Sequence, residues 1–309
     1  MNPYYKDYQE YLAEIFPGEK IQKISVNAGF SCPNRDGTIG TGGCIYCDNT
    51  SFTPSYCFEG DSVKIQLEKG KIFFSRKYPQ MRYLAYFQSF TNTFRGTSVR
   101  KGTVEELKSL YQAALGVEQV AGLIIGSRPD CFSEELIAML VKLNQQSPVF
   151  VEIGAESSHD STLATINRGH DWKTVEMVVR QLAEAGIRTG LHLIMGLPGE
   201  KESDMLETVD RSCGLPIDSV KFHHLQVIAG TRLSELVRNG QLRVEPWDVD
   251  DYLKFCCRIV ERVPKHIAIE RFLASAPPAK VESPRWGLKN YEFTAKLHKL
   301  LASTNVKDK

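Results

Sequence analysis

The sequence predicts an α/β fold in which parallel strands, joined by helices, curl into a (β/α)6 barrel or open barrel. Two observations lead there. Six apolar runs of strand length alternate with helical patterns between residues 21 and 230, and several of those helical patterns begin and end on recognisable cap residues. Residues 1–20 read as an N-terminal helix. Strands are expected at 21–26, 82–87, 120–125, 149–153, 187–194 and 219–227. Thr103 with Glu106 forms a capping box ahead of Leu107, Leu110, Tyr111 and Ala114, which share one helical face. Leu136, Met139, Leu140 and Leu143 repeat that spacing behind Ser133, and Val175, Val178, Val179 and Leu182 repeat it before Gly186 ends the helix. From 231 onward the pattern is mainly helical, with one more possible strand at 266–270. The expected organisation is therefore a barrel core with its N-terminal helix over 1–230 and a helical extension packed on it over 231–309. In a barrel of this kind, function belongs at the carboxyl ends of the strands.

With 309 residues, 42% of them hydrophobic and 24% charged, the chain is ordinary for a globular protein. It has no apolar run of about 18 residues to span a bilayer. The opening Met-Asn-Pro-Tyr-Tyr-Lys-Asp-Tyr lacks the apolar stretch and cleavage site of a signal peptide. The expectation is a soluble, cytoplasmic protein without a membrane partner. Net charge is +1, yet 64–101 carries nine basic residues against one acid, with Tyr78, Tyr83, Tyr86, Phe87, Phe90 and Phe94 interleaved. Such a segment suits either a groove facing a polyanion, with rings for base stacking, or a solvated helix face.

Among the eight cysteines, Cys32, Cys44 and Cys47 stand out. They lie in a glycine-rich loop after the first strand, where Pro33, Gly37, Gly40, Gly42 and Gly43 allow tight folding and turn amides toward sulfur. A closed zinc site takes four ligands, and no second Cys-x-x-Cys or His-x3-His occurs. Three thiolates instead suit an iron-sulfur cluster with one iron left open. Cys256 and Cys257, adjacent in a helical pattern, read as buried thiols. Cys57 raises the question of a spare ligand or a redox role.

The cysteine loop, with aromatic Tyr46 before its last cysteine, resembles the cluster loop of the radical S-adenosylmethionine superfamily. Its long first gap resembles the branch that contains the catalytic subunit of Elongator. Residues 29–47, the run Tyr86-Phe-Gln-Ser-Phe-Thr-Asn-Thr93 and 271–290 resemble a short bacterial family of about this length. Ser127-Arg-Pro-Asp-Cys131 resembles a turn of the Elongator subunit. Glu152-Ile-Gly-Ala-Glu-Ser157 and Ile166-Asn-Arg-Gly-His170 resemble the fourth-strand block that contacts the cofactor.

The resemblance implies a partial, TIM-like (β/α)6 barrel, a 4Fe-4S cluster on Cys32, Cys44 and Cys47, and S-adenosyl-L-methionine bound by Tyr46, Gln88, Asn92, Ser127, Arg128, Glu156, Arg168 and His192. Glutamine is commoner in relatives where Glu156 stands, and a Gly-Gly-Glu segment where Gln88 and Asn92 stand. Arg168 would meet the methionine carboxylate with its guanidinium fork. The reaction implied is reductive cleavage of the cofactor to a 5'-deoxyadenosyl radical, with electrons from a donor such as flavodoxin or ferredoxin. On the sixth strand, alternation sends Lys221, His223 and Leu225 to one face and Phe222, His224 and Gln226 to the other. His223 is the catalytic candidate on the substrate side. The relatives imply tRNA as partner and a wobble-uridine substituent as target, with 64–101 and the basic 281–309 region receiving phosphates. A small metabolite or porphyrin substrate, and a non-catalytic iron-sulfur or zinc RNA-binding protein, remain as alternatives.

Overall fold

The computed structural model describes residues 2–75, 80–93 and 103–305. Helix α1 (Tyr8–Ile15) leads into strand-helix crossovers: β1 (Ile21–Val26) with α2 (Val63–Ser75), β2 (Arg82–Phe87) with α3 (Val104–Leu115), and β3 (Val120–Ser127) with α4 (Glu134–Asn144). Then come β4 (Val149–Glu156) with α5 (Asp160–Thr165) and α6 (Trp172–Glu184), and β5 (Arg188–Met195) with α7 (Glu202–Cys213). The chain closes with β6 (Ser219–His224), β7 (Val227–Ile228), α8 (Arg232–Arg238), α9 (Val249–Arg262), β8 (Ala268–Ile269), β9 (Val281–Ser283) and α10 (Asn290–Asn305). The expected caps form: Thr103 and Glu106 close a capping box on α3, and the Ser133 hydroxyl accepts from Leu136 N on α4.

Strands pair in the order β1-β2-β3-β4-β5-β6-β8, every pair parallel, giving a curled half-barrel with helices outside. The late strand expected near 266–270 is thus the seventh member of the main sheet, although it comes from the C-terminal region. One expected strand is split. β6 ends at His224, opposite Met195 at the end of β5, so beyond it no neighbour remains to pair with. Val227–Ile228 instead pairs antiparallel with Val281–Ser283 in a separate two-stranded sheet.

Alternation along the strands gives the half-barrel a layered interior. At its lower end Ile21, Leu84, Phe150 and Ala268 pack against Tyr8, Tyr11, Leu12 and Phe16 of the α1 region. This plug leaves the carboxyl ends of the strands as the open end. Outward positions, among them Ile24, Tyr83, Phe87, Val151, Leu191 and Phe222, pack under the helices in the main core. Tyr83 and Phe87 are therefore buried between sheet and helices and offer no ring for base stacking, which corrects part of the reading of 64–101. In that segment Lys69 pairs with Asp61, Lys71 with Glu68 and Arg82 with Glu19. Arg76, Lys77, Tyr78, Phe94, Arg95, Arg100 and Lys101 lie outside the described residues. No helix among the described residues is long and apolar enough to cross a membrane.

Gly122 in β3 shows how tightly the sheet is drawn together. A Cβ there would lie 2.4 Å from the Pro148 carbonyl oxygen and 3.1 Å from a Leu84 methyl. Gly122→Ala is expected to lower stability by ~1–3 kcal/mol, the usual cost of overpacking against backbone, and denaturant titration of the purified protein checks it.

Candidate active site

The loop after β1 is tied down on both sides of its cysteines. Arg35 and Asp36 amides donate to the Cys32 carbonyl at 2.8 and 3.1 Å, and Gly43 N donates to Asn34 O at 2.8 Å. Gly43 has a φ of +77°, and a Cβ there would sit 2.7 Å from Arg35 Nε, so the residue before Cys44 is held to glycine twice over. The loop is bound to the turn that follows α5: Ile45 N donates to Ile166 O, Asn167 Nδ2 to Gly43 O, and Asn34 Nδ2 to Asn167 O. From the C-terminal region, Leu233 N donates to Ile45 O at 2.8 Å and Lys280 pairs with Asp48 at 2.8 Å.

Cys32, Cys44 and Cys47 all line one cavity at the open end of the half-barrel, together with Tyr46, Gln88, Ser127, Arg128, Glu156, Arg168, His192 and His223. Eleven of the twelve expected site residues thus border one space. Asn92 is the twelfth and does not line it. It is fully buried beside the cavity floor, donating at 2.9 Å to both Phe87 O and Gly126 O, where it ties the ends of β2 and β3 together. Cys57 donates its thiol proton to Ser25 O at 2.7 Å and is pushed up to about 12 by burial, as expected of a structural thiol.

Arg168 is buried at the cysteine end. Its Nη1 donates to Cys44 Sγ at 3.4 Å, Nη2 to the Gly154 carbonyl and Nε to His170 at 2.9 Å, with Glu156 3.3 Å away. Glu156 adopts a φ of +70° at a β-bulge, which turns its carboxylate back toward that guanidinium. Arg128 forks onto Asp130 at 2.8 and 2.7 Å and donates to Arg168 O, so it positions the Arg168 turn. Burial, then Cys44, pushes the Cys47 thiol up, while Arg35 opposes them. Burial alone would lower Arg35, yet Cys47, Cys32 and Cys44 together raise it, which puts all three sulfurs within electrostatic reach of one cation. Among the described residues, no three His, Cys, Asp or Glu side chains converge on a single ion. The three thiols border a shared space, and it is the thiolate form that ligates a metal such as iron.

Deeper in, four charges form a closed square. Lys23 reaches Glu152 at 2.9 Å and Glu270 at 2.5 Å, and Lys221 reaches Glu152 and Glu270 at 2.9 Å each. Tyr86 donates to Glu152 at 2.6 Å. Burial by itself would raise Glu152, but Lys221, Lys23 and His192 outweigh it and hold the carboxyl well below its usual range. Burial and Lys221 lower His192, so the ring is neutral and its Nε2–H donates to Glu152 at 2.6 Å. Sequence reasoning quoted Glu152 and Lys221 without giving them this role, and it missed Lys23, Glu270 and the loop-binding pair Asn34 and Asn167. A lysine or glutamate in the middle of an otherwise apolar strand was the available signal.

A model described as the Radical SAM superfamily matches residues 36–211, and one described as the Radical_SAM C-terminal domain matches 217–303. The chain belongs to the radical SAM superfamily. Members use a 4Fe-4S cluster and S-adenosyl-L-methionine, and the three-thiol cavity has the donor set for such a cluster. This radical SAM chain is similar to Protein YhcC of Escherichia coli strain K12, with 34% identity over 87% of this chain and 83% of that protein. It is 25% identical over 178 residues to the tRNA uridine(34) acetyltransferase of Methanocaldococcus infernus, covering 57% of this chain and 32% of that protein. Among solved structures, the archaeal Methanocaldococcus infernus Elp3 with an N-terminal deletion shares the fold, with a TM-score of 0.63 at 17% identity over 94% of this chain and 63% of that one.

A carboxyl held below its unfolded value stabilises the fold above the unfolded glutamate range, about pH 4.3, and that stabilisation is lost as pH falls toward the folded value. Glu152→Gln leaves Lys23 and Lys221 short of an anion, so stability at neutral pH is expected to fall by ~3–5 kcal/mol. The variant should also lose part of the wild-type fall in stability below about pH 4. Chemical denaturation at a series of pH values measures both, and an unchanged acid slope would count against the role given to Glu152.

Proposed function

We propose that this radical SAM enzyme modifies the side chain of the wobble uridine of tRNA. The observation that carries the reading is the similarity to a protein named tRNA uridine(34) acetyltransferase, which extends over more than half of this chain. The cavity is compatible with it: beyond the thiols its wall offers Ser89, Thr91 and Gln226, an amide and hydroxyls suited to the polar edge of a nucleobase. In this proposal Cys32, Cys44 and Cys47 hold the cluster. Arg168 would supply a positive charge to the thiolates and to the methionine carboxylate, and Arg128 and Glu156 fix its orientation. Tyr46, Gln88, Ser127 and His192 complete the cofactor's surroundings, and Asn92 supports that wall from behind. When bound, the cluster and S-adenosylmethionine supply a carbon radical that removes a hydrogen atom from substrate. His223 faces the substrate side. Burial, with Arg271 next, holds it well below the usual histidine value, and it therefore serves as a neutral hydrogen-bonding group.

Cys32→Ala, Cys44→Ala and Cys47→Ala should each lose iron and sulfide after anaerobic reconstitution while keeping the far-ultraviolet circular dichroism of the wild type. Metal analysis of the purified variants decides this.

Wild-type enzyme with S-adenosylmethionine and a one-electron donor, reduced flavodoxin, ferredoxin or dithionite, should release 5'-deoxyadenosine. It should bind tRNA with an affinity that falls as salt rises, since phosphate contacts release counterions. Mass spectrometry of tRNA nucleosides from cells with and without the protein should differ at the wobble uridine. Cofactor cleavage with salt-independent tRNA binding and identical nucleosides would move the assignment to a small metabolite or porphyrin. A reconstituted protein that binds tRNA but releases no 5'-deoxyadenosine would instead be a non-catalytic RNA-binding protein.

A further inference from the structure

Arg271 stands outside the charge balance of the half-barrel. Within the square, Lys23 and Lys221 are matched by Glu152 and Glu270, two cations against two anions. His192 and His223 are both held neutral by burial and neighbouring cations. Arg271, directly after Glu270, adds a further positive charge, and among the described residues no carboxylate pairs with it. Its Nη2 lies 3.4 Å from His223 Nδ1, a long contact to a neutral acceptor, and its Nε is buried with no hydrogen-bond partner. Arg271 borders the cysteine cavity, a second cavity in the gap between β1 and the β8 edge that Tyr56, Phe73 and Phe74 line, and a third beside α1. A cation in such a place is costly without an anion, and an unused guanidinium N–H is costly as well.

We propose that Arg271 is the specificity residue for the substrate, receiving an oxyanion, a phosphate or a carboxylate, at the junction of the first two cavities. A guanidinium fork matches the paired oxygens of either group, and its bonds to an anion are charge-assisted. With its Nδ1 accepting from the arginine, neutral His223 carries its proton on Nε2, so the remaining polar hydrogens of the pair are donors. The inference deepens the uridine reading and rests on it for the identity of the substrate, while the anion preference stands on the charge count and the unpaired Nε–H.

Calorimetric titration of the reconstituted enzyme tests it with five probes: uridine, uridine 5'-monophosphate, 5-carboxymethyluridine, inorganic phosphate and acetate. Wild type should bind one of the two anionic uridines about tenfold or more tightly than uridine. Arg271→Gln should abolish that preference, and Arg271→Lys should restore part of it. A preference for the monophosphate places the oxyanion on the nucleotide backbone, and one for the carboxymethyl compound places it on the base substituent. Arg271-dependent binding of phosphate or acetate with no uridine binding would support the anion site and overturn the uridine reading. Equal binding of neutral and anionic uridines, a preference that survives Arg271→Gln, or no binding of any probe would overturn the anion site. Circular dichroism and iron content matched to wild type establish that the variants are folded and loaded.

Discussion

Glu152 is the point on which the barrel interior depends. Its two carboxylate oxygens meet Lys23 from β1, Lys221 from β6, Tyr86 from β2 and His192 from β5, so one side chain on β4 links four other strands. Charges so deep are expensive, and each is retained only while its partners stay in register. A shift of one residue in any of these strands would turn its polar group into the apolar outer core, so the square also specifies the strand pairing. Lys23 with Glu270 does something further, spanning the gap that the half-barrel leaves between β1 and the end of β8.

Above this layer the structure is organised around the cysteine loop, which has little regular structure of its own. Its order comes from neighbours: the turn after α5 through Ile166 and Asn167, the start of α8 through Leu233, and Lys280 near β9. Ile45 is buried with Leu163, Ile166, Ile194, Leu225 and Leu233 in a small apolar cluster at the open end. The thiols are thereby presented by a loop that both the barrel and the C-terminal region hold in place. The radical SAM and C-terminal matches accordingly meet at the functional site and not merely in sequence order.

Strand positions were legible where buried parallel strands are apolar on both faces, as in β2, which is buried from Tyr83 to Phe87 and appears in the sequence with its observed limits. The caps of α3 and α4 were legible because capping is local chemistry. The end of β6 was not, since it is set by where β5 stops. The rings at Tyr83 and Phe87 read as available for stacking because composition does not tell which face of a central strand is covered. Asn92 stood in a polar run that ends beside the cavity, but only the fold shows its amide nitrogen donating to the carbonyls of β2 and β3.

By itself the sequence determined the α/β barrel class, the three-thiol loop after the first strand and the superfamily they imply, because hydrophobic period, cap residues and ligand spacing are local in the chain. The tertiary structure alone decided which charges neutralise one another. Lys23, Glu152, Lys221 and Glu270 are as much as 247 residues apart, and they meet because their strands place them on the same inner face. Among the described residues Arg271 is left without a carboxylate partner. Charge balance in a buried site is a property of distances across the fold, which no local pattern carries.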